Sequence, residues 1–366
     1  MHVLITSDTV GGVWTYTQEL VTGLARAGHR ITLVSFGKIP LPHQTAWMQT
    51  VPALDYRPTE YRLEWMEVVE RDIEESRGYL ELLVDEVQPD VLHFSQYCYG
   101  DLPVDVPRVV VAHSDVVSWW VAVHGSEPED TPWIQRYRRH VMSGLSGADI
   151  VVAPSRWMLD AVAKHYLQPQ HGTVIYNGRT PSLFNPSQQK EDYVLSVGRV
   201  WDPAKQISVL LETPGDSHVR IVGWEREPGK DKKEALLRSR DHVELLGPKS
   251  QSELQSLYSR ASIYAATSQY EPFGLAPLEA AFSGCALVMN DNPVFHELWG
   301  NAAMFFDKND AVDLGRRLDQ LRTNPALRQE YAARAYDIAA AKFTASRMVG
   351  EYENVYQSIC SVARVV

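Results

Sequence analysis

Short β-branched runs alternate with longer segments of helical period along the whole chain. This alternation predicts parallel sheets covered by helices on both faces. In the first half the expected strands are Val3 to Thr6, Ile31 to Phe36, Val91 to Phe94, Val109 to Ala112, Ile150 to Ala153 and Thr173 to Tyr176. Val13 to Ala27 reads as a helix, with Val13, Tyr16, Leu20 and Leu24 on one face and Gly28 as its stop. Arg62 to Val87 reads as a longer helix with an acidic outer face.

Asn177 to Asp192, rich in Pro, Ser, Asn and Gln and without periodicity, reads as a connection. A second series then begins, with strands expected at Val194 to Val197, Val219 to Val222, Val243 to Leu246, Ile263 to Ala266, Ala286 to Met289 and Met304 to Phe306. Helical segments at Ala326 to Lys342 and Ser346 to Val362 follow without a strand between them. The expected fold class is α/β: two Rossmann-like, doubly wound domains with parallel sheets, residues 1–180 and 181–345, facing each other across a cleft. The C-terminal helix, residues 346–366, is expected to pack back on the first. Ligands of such sheets bind beyond the carboxyl ends of the strands, so functional residues should follow strands in both halves.

Composition narrows the class. With 366 residues there is room for two domains, and 45% apolar against 22% charged residues is an ordinary globular balance. The net charge of −11 opposes polyanion binding, so no nucleic-acid partner is expected and any phosphate recognition must be local. Cys98, Cys285 and Cys360 form neither a disulfide framework nor a metal clip, which fits reduced thiols in a cytoplasm. No apolar run approaches the roughly 20 residues of a membrane span, and the N-terminus lacks the basic start of a signal peptide. A cytoplasmic protein is expected.

Three constellations carry candidate chemistry. Gly11 and Gly12 follow the first strand and open the first helix, where backbone N–H groups can approach an anion. This is not G-x-G-x-x-G, and no acidic residue closes the second strand, which weighs against a nicotinamide dinucleotide. Arg199 and Lys205 follow the first strand of the second series and suit the charges of a diphosphate. The segment TSQYEPFGLAPLEAAFSG places Glu271 in a loop, Gly274 at a helix entrance and Glu279 on the expected first turn. Two carboxylates for vicinal hydroxyls, beside backbone donors for an anion, suit a nucleotide sugar.

The E-P-F-G-L-x-x-x-E pattern resembles the signature of retaining GT-B glycosyltransferases, specifically glycosyltransferase family 4. The likeness runs through nearly the whole chain: AGH at 27–29, VVVAHSD around His113, APSRWM at 153–158, VIYNGRTPSLFNP at 174–186 and GRVWDPAK at 198–205. The resemblance implies that Arg199 and Lys205 hold the donor diphosphate with an amide of Gly12, and that Glu279 binds ribose hydroxyls. It implies that Glu271, with the backbone of Phe273, Gly274 and Leu275, meets the transferred sugar, and that His113 lies beside the anomeric carbon. The base would be read by backbone around Leu246 to Lys249, Gly247 among it.

Two positions depart from the family's usual pattern: Gln206 where glycine often follows the lysine, and Arg179-Thr180 where the linker commonly reads N-G-V-D. The resemblance further implies transfer of a hexose from a UDP- or GDP-sugar with retained configuration, without metal or other cofactor. A nucleotide-sugar 2-epimerase of the same architecture, or a non-catalytic nucleotide-sugar-binding protein, is the alternative. For the acceptor, Asp115 offers a hydroxyl contact and Trp119 or Trp120 a stacking face. Residues 1–180 carry 14 Lys and Arg against 22 Asp and Glu, a net of −8. That charge opposes attraction to an anionic leaflet and favours a soluble or small-molecule acceptor without strong membrane association.

Overall fold

A computed structural model describes residues 1–9, 11–224 and 242–363, with the side chains of residues 362 and 363 also left aside. The last three residues of the expected C-terminal helix thus lie outside the described residues. In chain order the first series is β1 (His2–Asp8), α1 (Gly12–Arg26), β2 (Arg30–Phe36), α2 (Pro42–Thr45), β3 (Leu54–Pro58), α3 (Glu70–Val87), β4 (Val91–Phe94), β5 (Arg108–Val111), α4 (Val116–His124), α5 (Pro132–Gly147), β6 (Ile150–Ala153), α6 (Arg156–His165) and β7 (Gly172–Val174). The second series is β8 (Glu191–Val197), α7 (Ile207–Glu212), β9 (Val219–Val222), β10 (Val243–Leu245), α8 (Gln251–Arg260), β11 (Ala261–Ala266), α9 (Leu275–Phe282), β12 (Ala286–Asn290), α10 (Pro293–Trp299) and β13 (Ala303–Phe306). Helices α11 (Ala311–Thr323), α12 (Pro325–Lys342) and α13 (Ala345–Ala363) complete it.

Two compact units result. One holds Met1–Val121, Ser126–Gly178 and Ala345–Val366; the other holds Ala122–Gly125 and Arg179–Thr344. Within the first, seven strands pair in the order β3-β2-β1-β4-β5-β6-β7. Within the second, six pair as β10-β9-β8-β11-β12-β13, and every pairing in both sheets is parallel. Each sheet therefore reverses its winding once, between β1 and β4 and between β8 and β11. Those reversals open crevices at the carboxyl ends of the strands, where doubly wound sheets bind ligands.

The cores follow from the largely apolar, buried strands. One face of the first sheet packs on α3, α5 and α6 through Ile73, Leu83, Val141 and Val162. The other packs on α1 and α13, where Leu20, Leu24, Met348 and Tyr352 meet Ile5 and Val111. In the second unit Leu210, Leu314 and Leu318 close over Val194, Ile221 and Val288. Among the described residues no helix is long and apolar enough to cross a membrane.

Three expectations need correction. Strand β3 does not stand among the strands expected from sequence: LDYRP alternates poorly, ends in proline and lies half-buried at the sheet edge. The helix expected from Arg62 begins only at Glu70. Before it the chain bends so that the buried Glu64 carboxylate accepts from the backbone N–H groups of Tyr97, at 3.0 Å, and Cys98, at 2.7 Å. Finally, Glu279 is the fifth residue of α9 and lies on its second turn, so the helix dipole alone does not explain its presence.

Candidate functional site

The crevice between β8 and β11 is built by loops that hold each other. After β8 the chain passes Gly198 and Arg199 and tightens into a 3₁₀ turn at Pro203–Lys205. Asp202, 3% exposed, organises this loop: Oδ1 accepts from Ala204 N–H at 2.9 Å and Oδ2 from Arg199 Nη2 at 2.6 Å. The Arg199 side chain is itself 44% exposed and stands 5.4 Å from the Trp201 ring centre, so its fork remains open to a ligand. Gly223 lets this loop cross the end of β9. A Cβ there would come within 1.7 Å of the Gly198 carbonyl oxygen.

The loop after β11 docks on that turn. Thr267 Oγ1 donates to Lys205 O at 2.7 Å, and Gln269 N–H donates to Ala204 O at 2.9 Å. Buried Asn290, ending β12, ties both together through Nδ2 donation to Thr267 O at 3.1 Å and Gln206 Oε1 at 3.3 Å. These backbone anchors bring Lys205 Nζ onto Glu271 Oε2, which also accepts from Ser268 Oγ at 3.3 Å. Both charged side chains are less than one-fifth exposed, so the pair is partly shielded from water yet reachable. Beside it Gly274 takes φ 92° at the entrance of α9, and Phe273 is buried against Phe343 with ring centres 5.3 Å apart. Leu275 is the first helical residue. Gly247 lies just after β10 with φ 66°, its carbonyl accepting from Gly223 N–H at 3.1 Å.

Arg199, Lys205, Glu271, Phe273, Gly274, Leu275, Glu279 and Gly247 thus all belong to loops or helices following strands of one sheet. Asp202, Thr267, Ser268, Asn290 and Gly223 were not anticipated as parts of this crevice. For all but Asp202 the sequence signal is position: small or amide-bearing residues at or just beyond a strand end.

Gln206 explains its own departure from the family pattern. The residue adopts the left-handed conformation, φ 47° and ψ 44°, where glycine is free of strain. Its amide is used in compensation, donating to Gln269 Oε1 at 3.1 Å and accepting from Asn290.

In the first unit Gly11, φ 68°, caps α1 with no side chain, and Gly12 opens the helix. A Cβ at Gly11 would meet open space, so its glycine is required by backbone conformation alone. His113 follows β5 and packs edge-on against Tyr16, with ring centres 4.5 Å apart. Its Nε2 is covered and has no hydrogen-bond partner, and burial lowers its pKa to about 3. The ring is therefore a neutral imidazole. Beneath it Tyr16 OH lies 3.2 Å from His93 Nε2, and Tyr356 OH from α13 lies 2.7 Å from His93 Nδ1.

The acceptor expectations fare differently. Asp115 is 4% exposed, with Oδ1 accepting from Ser118 N–H at 2.7 Å and Tyr166 OH at 2.8 Å. It serves as a helix-capping carboxylate for α4 in this conformation, and burial raises its pKa. Trp119 and Trp120 follow on the same helix, half-buried, edge to face with centres 6.3 Å apart. Among the described residues no group of three His, Cys, Asp or Glu is arranged to hold a metal ion.

Comparison with known proteins addresses the family and the fold. Residues 10–183 match the sequence profile of Glycosyltransferase Family 4, and residues 183–338 match that of Glycosyl transferases group 1. The O-antigen chain mannosyltransferase RfbU of Salmonella typhimurium LT2 is 31% identical over 246 residues, covering 63% of this chain and 68% of the relative. The phosphatidyl-myo-inositol mannosyltransferase of Mycolicibacterium smegmatis is 21% identical over 96% of this chain and 91% of its own. Among solved structures, sucrose-phosphate synthase from Thermosynechococcus elongatus superposes with a TM-score of 0.81 at 15% identity, covering 99% of this chain and all of that one. Anabaena HepE, in complex with UDP and glucose, gives 0.76 at 16% identity over 98% of this chain and all of that one. The chain belongs to glycosyltransferase family 4 and has the GT-B fold.

Proposed function

We propose that this glycosyltransferase moves a hexose from a nucleoside diphosphate sugar to a hydroxyl of a soluble acceptor, with retained configuration and without a metal. The observation that carries the reading is the Lys205–Glu271 pair at the β8/β11 crevice, with Arg199 exposed in the same loop. A donor diphosphate would supply Lys205 with a stronger anionic partner than one carboxylate and release Glu271 to accept sugar hydroxyls. Arg199 and Lys205 then stabilise the charge that grows on the leaving diphosphate. The acceptor oxygen attacks the anomeric carbon on the face that the leaving group departs, and its proton passes to a diphosphate oxygen. Neutral His113 is assigned to the reacting sugar as a hydrogen-bonding partner, and the amide of Gly12 to the phosphate.

Two relatives are named as mannosyltransferases and one neighbour was solved with UDP and glucose, so mannose and glucose donors on UDP and GDP are the first to try. The chain's acidic balance supports a soluble acceptor. A thermal-shift screen over these donors, followed by nucleoside diphosphate release with sugar acceptors and with anionic liposomes, with and without EDTA, tests the reading. Lys205→Ala should abolish the donor shift, and Glu271→Ala should lower turnover at least tenfold more than it lowers diphosphate affinity. Donor affinity unchanged in Lys205→Ala would overturn the site. Release driven only by liposomes would overturn the soluble acceptor, and loss of release in EDTA the metal-free chemistry.

A further inference from the structure

Glu279 is assigned to the donor ribose, and the next step rests on that reading. Arg179 stands where the chain enters the second unit and is 2% exposed, although a guanidinium keeps its charge at any ordinary pH. Such a charge must be met inside the protein. Its Nε lies 3.0 Å from Glu279 Oε1, and its guanidinium carbon lies 5.5 Å from the centre of the Phe184 ring. The backbone fixes it further, through N–H donation to Phe343 O at 3.0 Å and a parallel bridge to Thr344. Fully buried Tyr258, on α8, stands close enough that the Glu279 carboxylate, after burial itself, pushes the phenol pKa up. Its buried hydroxyl interacts with that carboxylate. Glu279 retains 15% of its side-chain exposure, so a ligand reaches the carboxylate but not the guanidinium paired with it.

We propose that Arg179, backed by the Tyr258 hydroxyl, is a positioning residue for ribose recognition, holding the Glu279 carboxylate in the orientation that accepts the vicinal hydroxyls of a nucleoside. A glutamate has three rotatable bonds, and a buried fork removes that freedom before the ligand arrives. The arginine is thereby a specificity device that acts through another side chain.

The test compares calorimetric affinities for UDP and GDP, their 2′-deoxy and 3′-deoxy forms, and inorganic pyrophosphate. Wild type should prefer the ribose form by roughly tenfold or more, the range of a hydrogen bond to a charged group. Arg179→Lys should reduce this preference to about threefold or less while pyrophosphate binding stays unchanged. Tyr258→Phe, which deletes one oxygen and leaves the packing, keeps the test open if the lysine variant does not fold, and should weaken the preference by about threefold. Full preference in every variant that folds, with the preference lost in Glu279→Ala, would overturn the positioning role alone. Full preference in Glu279→Ala would overturn the ribose assignment itself.

Discussion

Gln206 offers a measurement in which backbone strain is separated from side-chain contacts. It holds the left-handed turn, φ 47°, between the lysine turn and α7. A residue with a Cβ costs about 1–2 kcal/mol there, and glycine does not. The side chain offsets this with hydrogen bonds of 3.1 Å to Gln269 and 3.3 Å from Asn290, each contributing about 0.5–1.5 kcal/mol. Gln206→Ala loses both bonds and keeps the strain, so it should destabilise by about 1–3 kcal/mol. Gln206→Gly loses the same bonds and sheds the strain, but its freer unfolded chain returns about 0.5–1 kcal/mol of that gain. Glycine should therefore exceed alanine by about 0.5–1 kcal/mol. For a unit of this size that separates the melting transitions by about 1–4 °C. Differential scanning calorimetry of the three proteins reads it. An alanine variant melting at or above the glycine variant would refute the strain argument.

Two further outcomes follow from the same structure. Gly223→Ala should drive the Gly198–Arg199 loop outward, because the new methyl would stand 1.7 Å from the Gly198 carbonyl oxygen. Donor affinity should fall at least tenfold by calorimetry, and an affinity within threefold of wild type would show that the loop does not depend on this crossing. Burial holds His93 and His113 at pKa values of about 3, so both are neutral in the folded protein, whereas the unfolded chain takes up their protons near pH 6.5. Their contribution is complete above pH 6.5 and is lost as pH falls from there towards 3, at up to about 1.4 kcal/mol per pH unit for each ring. Urea midpoints at pH 7.5, 6.5, 5.5 and 5.0 should fall less steeply in His93→Gln than in wild type; parallel curves would contradict the buried neutral ring.

How legible the molecule was in its sequence varied with the kind of interaction. Strands such as Ile150–Ala153 announce themselves as continuous apolar runs, and Val91–Phe94 and Val219–Val222, each broken by one residue, His93 or Arg220, also lie at the bounds expected. β3 is an edge strand with one neighbour, so LDYRP carries no such run and is held by pairing with β2 instead. Residues 62–69 have helical spacing, but a buried Glu64 satisfying the amides of Tyr97 and Cys98 fixes them as a loop. That contact joins residues more than thirty positions apart, where periodicity carries no information. The candidate site shows the same division. Cations after β8 and carboxylates after β11 stand out because strand ends are visible in sequence. The Lys205–Glu271 and Arg179–Glu279 pairings are not, since each depends on which loops the sheet order brings together.

Helix α13 packs on α1 in the first unit, although residues 179–344 intervene between that unit's earlier segments and this helix. In topological terms the second unit is an insertion within the first, and its two ends, Arg179 and Thr344, lie side by side in a parallel bridge. This imposes an order on biosynthesis. When the ribosome has finished β7, one face of the first sheet still lacks Met348, Tyr352 and Tyr356, and His93 lacks its tyrosine partner from α13. At about 5–20 residues per second, the intervening segment takes on the order of 10–30 s to emerge. For that interval the nascent chain presents an uncovered apolar face, which makes the first-translated half the last to be completed and the one most in need of chaperone cover.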